Sequence, residues 1–154
     1  MHTLLIVYHS QSGTTEAMAE AVIAGARGPE VDGVDVQVRS PLEVSADEVR
    51  VASGIILGTP ENFGYMSGAL KYFFDHVYYP CLEHTEALPY ALFVRAGNDG
   101  TGAVSSVQRI VAGLQWKAVQ PPLVVAGEAD PEDYLPRCRE LGLTMAAGLE
   151  AGVF

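Results

Sequence analysis

Positive charge is what this chain most lacks. Nine lysines and arginines stand against nineteen aspartates and glutamates, giving a formal net charge of −10 over 154 residues. A surface of that sign repels phosphate backbones and anionic headgroups, which argues against nucleic acid and membrane surfaces as partners. Long apolar runs are missing too, the longest being strand-sized and well short of the ~20 residues that span a bilayer. The first of them is too short for a signal peptide and follows no basic segment. Cysteine is nearly absent: Cys81 and Cys138 form no CxxC pair and have no metal-type spacing. These absences lead to the expectation of a soluble, cytoplasmic protein with no membrane span and no bound metal. The triphosphate loop GK[ST] and the dinucleotide fingerprint GxGxxG are also missing, as is any internal repeat or low-complexity linker.

What is present is apolar and orderly. Hydrophobic residues make up 49% and charged residues 18%, enough for one domain spanning 1–154 with a real core. Strand-like and helix-like segments alternate throughout. Strands are expected at Leu4–Tyr8, Val34–Val38, Gly54–Leu57, Tyr90–Val94 and Leu123–Ala126. Helices are expected at Thr14–Arg27, a short stretch around Leu42–Val49, Ser67–Val77, Thr101–Leu114 and Pro131–Gly148, with apolar residues at three- and four-residue spacing. Five such units predict an α/β, doubly wound, five-stranded parallel sheet covered by helices on both faces, a three-layer sandwich. The weakly apolar second strand belongs at an edge, which fits the order 2-1-3-4-5. Ligands of such sheets sit outside the carboxyl ends of the strands, at the switch point between the first and third.

Three loops meet there. The first, Ser10-Gln11-Ser12-Gly13-Thr14-Thr15, runs from a strand straight into a helix N-terminus. That terminus has unpaired N–H groups and a positive dipole end, so it suits a phosphate. No lysine or arginine lies in the loop, so neutral amides and hydroxyls would do the binding, as in a shaped phosphomonoester site. The second loop, Gly58 to Gly68, is apolar for a connection, with Phe63, Tyr65 and Met66. Its rings either cover an aromatic ligand or pack back on the third helix. The third, Arg95 to Gly102, is glycine-rich and allows close backbone approach to a flat ligand. A planar ring system carrying one phosphomonoester satisfies all three.

These strings resemble the flavodoxin-like FMN-binding flavoproteins. Gly-Thr-Pro-Glu-Asn-Phe-Gly-Tyr-Met-Ser-Gly, followed by a helix containing Lys71, Phe73, Phe74 and Asp75, is similar to the corresponding stretch of FMN-dependent NAD(P)H:quinone and FMN reductases. The resemblance covers essentially the whole chain. It implies FMN as cofactor, with its phosphate on the loop of Ser10, Gln11, Ser12, Gly13, Thr14 and Thr15. Pro60, Glu61, Asn62, Phe63 and Gly64 would border the ring, and Ala96, Gly97, Asn98, Asp99 and Gly100 its opposite edge. The family's short electron carriers place a tyrosine in the last of these loops, and Ala96 to Gly102 contains no aromatic residue. A flavin face left open in that way leaves room for nicotinamide or quinone.

The resemblance therefore implies an oxidoreductase passing electrons from NAD(P)H to a quinone or other small acceptor, with no acid–base side chain required. The alternative is a flavodoxin-type carrier whose acidic surface steers it towards basic protein partners. A flavodoxin-like domain that binds no flavin is a third reading. The donor, the acceptor and a homodimer are left open, as are the roles of Tyr65, Tyr78, Tyr79 and His84. Lys71 and Asp75 read as an ordinary helix pair. Glu61 and Asp99 are candidates for tuning the flavin electrostatically.

Overall fold

In the computed structural model, which describes residues 1–154, strands and helices alternate in the expected order. The elements are β1 (His2–Tyr8), α1 (Gly13–Ala26), β2 (Val34–Arg39), α2 (Ala46–Val51), β3 (Gly54–Asn62), β4 (Tyr65–Met66), α3 (Gly68–Cys81), β5 (Pro89–Ala96), α4 (Thr101–Leu114), β6 (Lys117–Ala118), β7 (Leu123–Ala126) and α5 (Pro131–Ala151). The sheet runs β2-β1-β3-β5, with β6 and β7 both pairing to the far side of β5. Every pair is parallel except β3–β4. This is the 2-1-3-4-5 order, with the fifth strand in two pieces. Lys117–Ala118 pairs with the start of β5 and Leu123–Ala126 with its end. Pro121 and Pro122, which lack the N–H a ladder needs, lie in the interruption.

The central strands β1, β3 and β5 are buried over most of their length because helices cover both faces. One core layer joins the sheet to α2, α3 and α4 through residues such as Leu5, Leu57, Phe73, Phe74 and Trp116. The other joins it to α1 and α5 through Ile6, Met18, Phe93, Tyr134 and Met145. Ile6, Ile56 and Ala91 stand in register. The carboxyl ends of β1, β3 and β5 therefore reach the same edge and deliver their connections side by side.

Boundaries shift where local chemistry outweighs periodicity. The second helix begins at Ala46, not near Leu42. Ser45 caps it in a reciprocal box, accepting from Glu48 N at 3.1 Å while its own amide donates to Glu48 Oε1 at 3.0 Å. The third helix continues past Val77 to Cys81 with Pro80 inside its last turn. Cys81, one turn beyond Val77, stays fully buried and extends the apolar face. The fourth reads Thr101–Leu114 as expected. No helix is long and apolar enough to cross a membrane.

Candidate functional site at the carboxyl edge of the sheet

The last rung between β1 and β3 is a bond from His9 N to Gly58 O, at 3.1 Å. Beyond it the chain turns through Ser10–Ser12 into α1. Ser12 is extended (φ −145°) and caps the helix, its Oγ accepting from Thr15 N at 3.4 Å and lying 3.3 Å from Thr15 Oγ1. Thr15 is fully buried. The backbone amides of Ser10, Gln11, Ser12, Gly13 and Thr14 donate to no acceptor in the protein. Five consecutive free donors at the positive end of a fourteen-residue helix are an arrangement suited to an anion. Nothing lies within 4 Å of where a Cβ on Gly13 would be, so the loop faces open space.

The hydroxyls divide between two tasks. Ser10 donates to Glu16 Oε2 at 2.7 Å and Tyr8 donates to the other oxygen, Oε1, at 2.9 Å. Burial first, then Glu16, pushes the Tyr8 phenol up to about 12. Ser10 is thus turned towards Glu16, and the outward donors are mainly amides. Neither Tyr8 nor Glu16 is marked by a sequence pattern, because the pair meets only once strand and helix are folded together. A cleft of about 270 Å³ opens beside them, between the ends of β1 and β2 and lined in part by His9, Arg39 and Ser40. His9 Nδ1 is shut away from solvent with no partner, an uncommon state for a buried imidazole nitrogen.

The second connection is not a loop but a tight hairpin. Thr59 and Pro60 lie buried inside β3, which continues to Asn62. A proline is tolerated there because β1 ends opposite Gly58, leaving β3 paired with β5 alone on its parallel side. Phe63 (φ 53°) and Gly64 (φ 69°) then turn the chain into β4, with Asn62 opposite Tyr65. Two successive left-handed residues form a type I′ turn. Phe63 at its tip is fully exposed and does not pack back on α3.

The hairpin is anchored from below. Ser67 N donates to Thr59 Oγ1 at 2.9 Å and Met66 N to Ser106 Oγ at 3.1 Å. A Cβ on Gly102 would fall 1.9 Å from Gly64 O, so α4 touches the turn backbone to backbone. Glu61 Oε2 accepts from Ala103 N at 3.0 Å. The residue preceding α4, Gly100 (φ 76°), has no side chain to cap it. Glu61 supplies that cap across the fold, placing its charge at the positive end of α4.

In the third connection Ala96 and Gly100 are buried while Gly97, Asn98 and Asp99 are exposed. Asp99 Oδ1 accepts from Thr101 N (3.0 Å) and Thr101 Oγ1 (2.8 Å), and the backbone bond holds its carboxyl below the usual range. Arg95 supports this loop from beneath, donating to Ala96 O, Val125 O and Gly127 O at 2.6–3.0 Å. A lone arginine in a strand reads as exposed charge, and nothing local foretells its bonds to Val125 O and Gly127 O at the end of β7.

The structure brings all three predicted segments to one edge. Asn62 Nδ2 donates to Gln11 Oε1 at 2.8 Å, tying the first to the second, and Glu61 ties the second to α4. Elsewhere, Tyr78 packs against the core and Tyr79 is exposed. His84 lies in the turn after α3, its amide on Cys81 O, and Lys71 pairs with Asp75 at 2.5 Å.

A doubly wound parallel sheet in this strand order, with helices on both faces, defines the flavodoxin-like fold. Within that class, the sequence matches the family described as NADPH-dependent FMN reductase over residues 3–131, and the chain belongs to that family. It is 28% identical to a flavodoxin from Aquifex aeolicus over 161 aligned residues, covering 95% of this chain and 86% of that one. It is 37% identical to an NAD(P)H dehydrogenase (quinone) from Acidithiobacillus ferrooxidans over 95 residues, 49% of this chain and 46% of that one. Among solved structures, a flavodoxin from the domain Archaea superposes with a TM-score of 0.80 at 26% identity, covering 96% of this chain and 98% of that chain.

Proposed function

We propose that the chain binds FMN, with the phosphate on Ser10–Thr15 and the ring between the Pro60–Gly64 hairpin and Ala96–Gly100. The proposal extends to an oxidoreductase that takes electrons from NAD(P)H and passes them to a quinone or another small acceptor. The observation that carries it is the run of five free amides at the start of α1, in a loop without a cation. That donor set suits a phosphomonoester, which needs several directed bonds, better than a diffuse polyanion. When bound, FMN supplies the hydride and electron chemistry. The chain's own part is to hold the phosphate by amides and Ser12, to fix the hairpin through Glu61 and Ser106, and to present Phe63 beside the ring.

A small acceptor is favoured because no side chain of Ala96–Gly102 is aromatic, which leaves that side of the site uncovered. The carrier reading has its own support, since the resemblance to the Aquifex aeolicus flavodoxin extends over 95% of this chain. The acidic surface would also suit a basic redox partner.

Titration with FMN, followed by absorbance and flavin fluorescence, tests the cofactor. Ser12→Ala removes the helix cap at a cost of about 1 kcal/mol, and FMN affinity is expected to fall more than tenfold. Unchanged affinity would show that the phosphate lies elsewhere. Steady-state oxidation of NADPH or NADH with a benzoquinone then separates enzyme from carrier, the carrier showing negligible turnover.

A further inference from the structure

The segment proposed to hold the phosphate and the hairpin proposed to border the ring are joined by one side-chain bond. Parallel pairing of β1 with β3 ends at Tyr8 and Gly58, and beyond the rung from His9 N to Gly58 O no main-chain bond links the two connections. From Gly58, β3 runs on for four residues to Asn62, roughly 13 Å at the rise of a strand. There Asn62 Nδ2 donates to Gln11 Oε1 at 2.8 Å, between residues 51 positions apart in sequence. The other side-chain hydrogen bonds of the hairpin lead to α4 or close it on itself. Glu61 Oε2 accepts from Ala103 N, Met66 N donates to Ser106 Oγ, and Ser67 N donates to Thr59 Oγ1. The hairpin is thus fixed to α4 on one side, and to the phosphate loop by Asn62 alone.

Asn62 stands directly before the Phe63–Gly64 turn, and Gln11 contributes one of the five free amides. The bridge therefore runs from inside the proposed phosphate subsite to the foot of the proposed ring border. We propose that Gln11 and Asn62 are specificity-determining residues, which set the distance between these two subsites before a flavin arrives. The inference rests on the reading of the chain as an FMN protein. A ligand with a ring at one end and a phosphate at the other uses both subsites only when they stand at its own length. Its second contact is then made at high effective concentration, without the cost of ordering two loosely related segments. A ligand without the phosphate occupies one subsite, and the spacing is of no consequence to it. The bridge thus selects FMN over riboflavin beyond what the amides themselves contribute. Its chemistry suits the place. Neither side chain is charged, so the bridge brings no second anion towards a phosphate held in a loop without a cation.

The test is fluorescence titration with FMN and with riboflavin of the wild type, Gln11→Ala, Asn62→Ala and the double variant. In each single variant the ratio of FMN affinity to riboflavin affinity is expected to fall about three- to tenfold, the worth of one net hydrogen bond. In the double variant it should fall no further than in the weaker single one, because the first substitution has already removed the bridge. The bond is exposed, so the melting temperatures of the four proteins should agree within a few degrees. An unchanged ratio, losses that multiply in the double variant, or a melting temperature that drops in step with the ratio would each overturn the bridge and spare the cofactor reading. A wild type that binds neither flavin overturns the cofactor reading, and the bridge with it.

Discussion

Phe63 holds a backbone conformation that costs an L-residue of its size roughly 1–2 kcal/mol, and it does so with its ring fully in solvent. Neither feature helps the fold. The first position of a type I′ turn favours asparagine, and Asn-Gly is the commonest pair there. A strained, exposed aromatic at the mouth of the proposed flavin site is best understood as retained for the ligand. Phe63→Asn is therefore expected to raise stability by about 1 kcal/mol, visible as a melting temperature several degrees higher. The same change should weaken FMN binding or acceptor turnover several-fold. A variant that melts lower, or binds and turns over as before, would remove the functional reading of Phe63. The sequence shows an aromatic at position 63 but not the turn, because Phe-Gly is not a usual hairpin signal.

At the scale of elements, strands and helices were legible wherever one face repeats, as in α4 or the buried run of β3. The three site connections were legible as a set, since strand order alone makes them neighbours. What stayed hidden depends on contacts between separate elements: Glu61 capping α4, Arg95 reaching the carbonyls of Val125 and Gly127, and Tyr8 and Ser10 converging on Glu16. The packing of α1 on α5 is of this kind too. A Cβ on Gly142 would lie 1.9 Å from Val22 O, and one on Gly25 would lie 1.9 Å from Arg139 O. The helices touch backbone to backbone at both places, and neither neighbour is a flexible side-chain end. Gly142→Ala must push α5 away from α1, and overpacking of that kind costs about 1–3 kcal/mol or more. Thermal unfolding followed by circular dichroism should show a melting temperature lower by ten degrees or so. Since α1 carries the loop proposed to hold the phosphate, FMN affinity should fall as well. A Gly142→Ala protein that melts with the wild type would mean the two helices are not held this closely.

For the molecule as a whole, the buried ionisable groups that shift upward lie in both core layers and act in one direction. Cys81 sits in the layer under α3 and Cys138 in the layer under α5, and burial pushes each thiol from an ordinary 9.0 up to about 11. Tyr8 rises from 10.0 to about 12, and burial raises Tyr90 as well. A group whose folded pKa lies above its unfolded value keeps its proton longer in the native state. Below pH 9 both states hold these protons and the groups leave stability unchanged. Above it the unfolded chain releases them first, so stability falls as pH climbs through the folded values. The loss should begin near pH 9 with the thiols, continue to about 11, and steepen beyond 10 as the phenols join. Urea unfolding measured from pH 7 to 11 should show a plateau followed by this decline. Replacing Cys81 and Cys138 together by alanine should lower the plateau, because two buried side chains are cut back. The same replacement should flatten the segment between pH 9 and 10, where the thiols act largely alone. An equally steep decline in the double variant would place the alkaline sensitivity outside the two cores.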